Sequence, residues 1–269
     1  LFMAIGFGGG ILIYVFIFLY GAQVMRGVME EKTSRIVEVI LSSVRPFQLM
    51  MGKIVGVALV GLTQFLLWVV LTFTLYSFAA VTVFKNIDIQ QVQQKEEVLK
   101  TGSDLKYMDM KKIDKPTIVT EMWDDFKSVD MVTIEWCFLF YFLAGYLLYS
   151  ALFAAVGAAV DSDADTQQFM LPITIPLIFS LAIALNVIQN PSSSMAFWFS
   201  IIPFTSPVVM MARLPFGVPG WELALSMVVL ILGFIFTTWL AARIYRTGIL
   251  MYGKKITWKE LGKWLFYKV

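Results

Sequence analysis

Five long apolar runs, at about 2–25, 53–84, 132–160, 169–189 and 221–245, constrain this chain more than any other feature. Each reaches the roughly 20 residues that a helix needs to cross a bilayer. Hydrocarbon offers no water to backbone N–H and C=O groups, so a spanning run must close its hydrogen bonds internally, as a helix does. The expected fold class is therefore all-α: a polytopic membrane protein with five spanning helices over 1–269. Composition agrees, with 59% hydrophobic and 15% charged residues against about 45–50% and about 25% in soluble chains.

The segments between the runs carry the remaining information. A sixth apolar patch, "MAFWFSIIPFTSPVVMMARLPF" (195–216), is broken by Pro203, Pro207 and Pro215 and reads as an interfacial or re-entrant segment rather than a span. Trp136 and Trp221 stand where spans begin, as interfacial aromatics do. The stretch 85–130, rich in lysine, acid and glutamine, reads as a polar extracytoplasmic loop, in short surface helices or partly disordered. Placing 26–53, 161–168 and the C-terminal tail together puts twelve basic residues on that side and nine on the other. Most of the nine lie mid-loop, where the positive-inside bias is weakest, so the first side is taken as cytoplasmic.

The segment "RGVMEEKTSRIVEVILSSVRP" (26–46) is unusual because it is charged, helix-patterned and wedged between two spans. The spacing predicts an amphipathic helix over 27–44. Glu31, Arg35, Glu38 and Ser42 fall on one polar face, with Glu31 and Arg35 in the favourable i, i+4 order. Met29, Ile36, Val37, Ile40, Leu41 and Val44 form the opposite stripe, and Pro46 ends the helix. Such a helix can lie in the headgroups or dock on a protein. Its mixed acids and bases favour a protein partner, where paired charges fix register.

"EEKTSRIVEVILSSVRPFQLMMGK" resembles the cytoplasmic segment of the ABC-2 type permease family, in the branch related to bacterial sodium-export permeases. Glu30, Glu31, Lys32, Thr33, Arg35, Glu38, Pro46, Gly52 and Lys53 match that pattern, while Arg45 stands where a small residue is usual. "GAAVDSDADTQQFMLPITIPLIFS" is a second match, with Gln168, Pro172 and Pro176 in their places. The resemblance implies a six-span permease whose first span and large ectodomain precede Leu1, in the cytoplasmic (inner) membrane. It further implies a coupling helix over 26–53 that docks on a separate ATP-binding cassette subunit. That subunit would bind ATP and Mg²⁺, leaving this chain without a cofactor, and the permease would work as a homodimer or heterodimer. On this view Glu31 and Arg35 hold the helix, Glu30, Lys32 and Glu38 face the partner beside Thr33, and Pro172 and Pro176 are candidate kinks for a gate.

Other chemistry finds little support in the sequence. No histidine is present, and Cys137 is the single cysteine, in an apolar context, so His-based triads and His/Cys zinc sites are excluded. A net charge of +2 gives no reason to expect nucleic acid as a partner. "GILMYGKK" (248–255) falls short of a phosphate-binding loop, because Lys255 replaces the hydroxyl and a spanning helix rather than a strand precedes it. Its basic residues instead suit anionic headgroups. Asp161, Asp163 and Asp165 alternate like calcium ligands but lack the loop's glycine and glutamate, and read as a solvated turn with Asp161 or Asp163 capping the next helix. The small residues of "GFGGG" (6–10), and Ala151, Ala154, Ala155, Ala158 and Ala159, suit close helix packing, either within one subunit or at a dimer seam. Leu1 comes with no basic n-region or cleavage site, so the start is not a signal peptide and the chain reads as part of a longer protein. An ATP-independent channel or secondary carrier is the alternative function, and it would want a charge at mid-membrane depth that the spans do not offer. A membrane-embedded enzyme lacks a catalytic constellation.

Overall fold

The computed structural model of the chain describes residues 2–100, 131–252 and 257–264. These form helices α1 (Phe2–Thr33), α2 (Ile36–Leu41), α3 (Pro46–Lys100), α4 (Met131–Ala159), α5 (Asp163–Gln189), α6 (Ser194–Ile201), α7 (Ser206–Arg213), α8 (Gly220–Gly248) and α9 (Trp258–Trp264), with a short 3-10 turn over Leu214–Phe216. There is no strand among the described residues. The five expected spans are present in α1, α3, α4, α5 and α8, as apolar segments of 26 to 30 residues. The chain is a multi-pass, all-α membrane protein. The expected loop over 85–130 begins as a continuation of α3, which stays helical to Lys100; residues 101–130 lie outside the described residues.

The chain divides into two units, Leu1–Leu59 with Phe126–Val269, and Val60–Asp125. In the first, α4 is the central element: 67% of its apolar window is buried, against 17% for α8, whose outward face is left to lipid. α1 packs closely along α4. At Gly157 a side chain would overlap the Met25 carbonyl, and at Gly21 it would overlap the Phe153 ring, so only glycine permits this approach. Tyr146 donates its hydroxyl to the Ile54 carbonyl (2.8 Å), and Tyr149 donates to that of Phe204 (2.6 Å). These bonds satisfy polar groups that would otherwise sit dry inside the bundle.

The proline-broken patch forms α6 and α7, eight residues each and about 12 Å long, too short to cross a bilayer. Every residue of α7 is buried. Gly6 and Gly10 of α1 face it, where a Cβ would come within 2.7 Å of the Ala212 oxygen and 3.1 Å of the Val208 oxygen. Gly6, Gly9 and Gly10 of "GFGGG" thus serve packing within the chain, whereas a side chain at Gly8 would meet nothing within 4 Å. In the second unit, α3 beyond Val60 exposes Leu66, Leu67, Val70 and Phe73, an apolar surface suited to lipid.

Candidate functional site

One end of the first unit gathers the charged residues of the 26–53 segment, and their arrangement departs from the expected helix. α1 does not stop at the start of the charged run but continues to Thr33. There Thr33 Oγ1 donates back to the Met29 and Glu30 carbonyls (3.0 and 3.2 Å), and Ser34 Oγ donates to that of Glu31 (3.2 Å). Such local bonds take up carbonyls at a helix end and compete with its continuation. Arg35 then adopts a left-handed conformation (φ 56°), its N–H bonding the Lys32 carbonyl at 2.9 Å, as in a left-handed C-cap. The expected single helix over 27–44 is therefore split, and only the six residues of α2 follow the break. Pro46 opens α3 rather than merely ending the segment, which suits a residue with no N–H to leave unpaired in a first turn.

The split redistributes the expected partners. Lys32 is fully buried and does not face outward. Its Nζ donates to the Ala158 and Ala159 carbonyls (2.8 and 3.1 Å) and pairs with Asp161 at 2.7 Å. Ala158 and Ala159 end α4, so the ammonium satisfies carbonyls that lack intrahelical donors and neutralises the negative end of that helix. Glu31 pairs with Lys53 of α3 at 2.7 Å, not with Arg35. Arg35 lies over the Tyr252 ring at 5.8 Å. Burial and the Glu38 carboxylate raise the Tyr252 hydroxyl above its ordinary pKa, with Arg35 opposing. α1, α2, α3, α4 and the segment after α8 are thereby tied together at one end of the unit.

What remains outward is specific. Glu30, Thr33 and Glu38 are exposed. So are Ile36 and Val39 of α2, at 53% and 74%, whereas Val37 is fully buried. The expected apolar stripe is thus divided, with Val37 and Met29 inward and Ile36 and Val44 out, and Val39, outside that stripe, is the most exposed aliphatic side chain of α2. Two bare aliphatic side chains thus stand outward, flanked by the exposed Glu30, Arg35 and Glu38.

The turn after α4 also departs from expectation. Ser162, not Asp161 or Asp163, caps α5, accepting from the Asp165 N–H (3.3 Å) and donating to Asp165 Oδ2 (2.8 Å). Among the described residues no three His, Cys, Asp or Glu side chains are grouped to hold a metal. Pro172 and Pro176 lie inside α5, where they remove the bonds that the Gln168 and Pro172 carbonyls would accept. Both line an apolar cavity of about 280 Å³ with Leu152, Val156, Leu240 and Ile244. Gly253, Lys254 and Lys255 of the glycine–lysine stretch lie outside the described residues.

At the opposite end, Arg213 and Glu222 form a buried ion pair (2.5 Å, both under 10% exposed). Arg213 also donates to the Pro191 carbonyl (2.9 Å) and Ser200 Oγ (3.1 Å), and Ser226 Oγ donates to the Ser200 carbonyl (2.6 Å). This network locks α6 and α7 to the start of α8. Nothing in the sequence marks the pairing, which depends on the turns between the two short helices.

The chain is 27% identical over 251 residues to the uncharacterized protein YhaP of Bacillus subtilis, covering 93% of this chain and 52% of that protein. It is 26% identical over 258 residues to the uncharacterized protein MJ1024 of Methanocaldococcus jannaschii, covering 96% of this chain and 52% of that protein. The chain thus spans about half the length of the curated relatives it matches. No solved structure matches it. The sequence profile described as ABC-2 family transporter protein matches residues 3–243, and the chain therefore belongs to the ABC-2 transporter family.

Proposed function

We propose that the chain is the permease part of an ATP-binding-cassette exporter that moves its substrate outward, with α2 and its flanking turns as the coupling surface for a separate ATPase subunit. ATP and Mg²⁺ bind that subunit, and this chain is non-catalytic. Glu30, Thr33 and Glu38 form the rim of the docking face, with Ile36 and Val39 at its centre. Lys32 and Glu31 hold the face to the bundle from behind, and the exposed Arg35 steadies its edge over Tyr252. The permease acts as a dimer in the cytoplasmic membrane, with α2 on the cytoplasmic side.

One observation carries this reading: an outward aliphatic knob is joined to the spans by rigid contacts rather than by a loose loop. α2 is six residues long and follows directly on α1, whose last turn is pinned to α4 through Lys32 and to α3 through Glu31. Displacement of α2 by a closing ATPase pair is thereby passed to three spans. Pro172 and Pro176, which weaken the backbone of α5 beside the apolar cavity, are the places where a bundle so pushed would yield.

The test is co-purification of the full-length protein with its ATPase, using E30A/E38A and I36D/V39D variants. Loss of the ATPase from both, with a folded permease, supports the reading. Retention by both places the docking surface elsewhere. Transport that proceeds without any ATPase favours the ATP-independent carrier.

A further inference from the structure

Three spans leave a space between them that their packing does not fill. Leu152 and Val156 of α4, Pro172 and Pro176 of α5, and Leu240 and Ile244 of α8 line one cavity of about 280 Å³. Each pair stands at i, i+4, so each helix turns one face toward the same space. Phe204, from the joint of α6 and α7, and Leu261 of α9 complete the wall. α9 is fastened in place there: Leu261 and Trp264 are both buried, and the Trp264 ring comes within 3.0 Å of where a Cβ on Gly248 would stand. Every side chain in the lining is apolar.

Two properties decide what can occupy this space. Water needs roughly two to four polar partners to settle in a buried site, and these walls offer no polar side chain, whereas a dry apolar cavity of about 150 Å³ already suffices for benzene. The second property is where the cavity opens. Among the described residues, α5 and α8 each pack on α4 but not along one another. Pro172 is exposed between them. Leu171 and Ile175 beside it, and Phe236 and Trp239 beside Leu240, are all at least half exposed. In a protein that crosses a bilayer, such an opening meets hydrocarbon. We infer that this cavity binds a single hydrocarbon chain, which enters from the bilayer between α5 and α8. The chemistry recognised is an unbranched alkyl chain, whether the tail of a phospholipid or a free fatty acid. The inference needs only that the protein spans a membrane, and it stands whether or not an ATPase docks on α2.

Photolabelling of the full-length protein in phosphatidylcholine vesicles tests it, with two probes used separately. One is palmitic acid carrying a mid-chain diazirine, and the other is phosphatidylcholine carrying the same labelled chain. Adducts are located by peptide mass spectrometry. Ala155 and Val156 are buried, so a probe that labels 152–156 of α4 has entered the cavity, and wild type is expected to show that adduct. Labelling by the phosphatidylcholine probe identifies a lipid tail as the occupant. Labelling by palmitic acid alone identifies a free chain, and either result sustains the site. A155F fills the cavity from α4, and L240W fills it from the half-exposed wall on α8, which keeps the test open if A155F does not fold. Each is expected to lower the α4 adduct roughly tenfold, the worth of about two methylene groups kept from burial, with labelling of Leu171 and Ile175 unchanged. Labelling of wild type confined to exposed positions such as Leu171 and Ile175, with none on 152–156, would overturn the inference. So would an α4 adduct undiminished in the filled variants, because the chain would then reach α4 by another route.

Discussion

Replacing Lys32 by methionine separates a residue that holds the bundle from one that contacts a partner. Methionine keeps the unbranched stem and removes the ammonium. Three interactions are lost together: the bonds to the Ala158 and Ala159 carbonyls and the pair with Asp161. Breaking a buried ion pair from one side costs about 3–5 kcal/mol. The Asp161 side chain keeps 27% exposure, so water can take up part of its charge, which places the loss at the lower end, about 3 kcal/mol. At about 2–4 °C per kcal/mol, the apparent Tm should fall by about 6–12 °C. The assay is thermal unfolding of the full-length protein without any ATPase, followed by fluorescence-detected size exclusion. K32M/D161L, which removes both charges, should recover part of the loss, whereas E30A should melt as wild type does. A K32M protein that melts as wild type but fails to capture the proposed ATPase would refute the reasoning and return Lys32 to the proposed docking face.

Two further substitutions probe the other contacts on which the fold depends. E222A should destabilise the protein by about 3–5 kcal/mol by leaving the Arg213 guanidinium buried beside no carboxylate, with R213M/E222L much closer to wild type in the same melt. G157V drives a side chain into the Met25 carbonyl and should cost at least about 1–3 kcal/mol, read as lower Tm and lower yield of folded protein, while G52A, where an added Cβ meets nothing within 4 Å, should not.

How much of this was legible in the sequence depended on whether the signal was local. The five spans followed from hydropathy, because lipid leaves a chain no other way to satisfy its backbone. The end of α1 was misplaced because the span was closed where charge begins. Yet Ile13, Ile17, Tyr20, Val24, Met25, Val28 and Met29 are buried at spacings of three and four, and Lys32 continues that row. Carrying the helical period past Arg26 would have put Lys32 on the inward face. Its partner Asp161 lies far along the chain and left no local trace. Arg35 in a left-handed turn was equally hidden, since glycine, the usual marker, is absent there. Pro46 was ambiguous in principle, because proline both stops a helix before it and starts one well. Of the residues that match the family pattern, Glu30, Thr33 and Glu38 stand exposed, whereas Lys32 is buried, a division that the pattern itself does not carry.

The most direct measurement of the proposed coupling surface is photo-crosslinking from position 39 in the full-length protein with the proposed ATPase. Val39 is replaced by p-benzoylphenylalanine, with the same residue at Ile178, an exposed position on α5, as the lipid-facing control. The account predicts an adduct to the ATPase from position 39 that changes in yield when ATP is bound, and none from position 178. The absence of an adduct at 39 in a complex that still forms, or equal adducts at both positions, would contradict it.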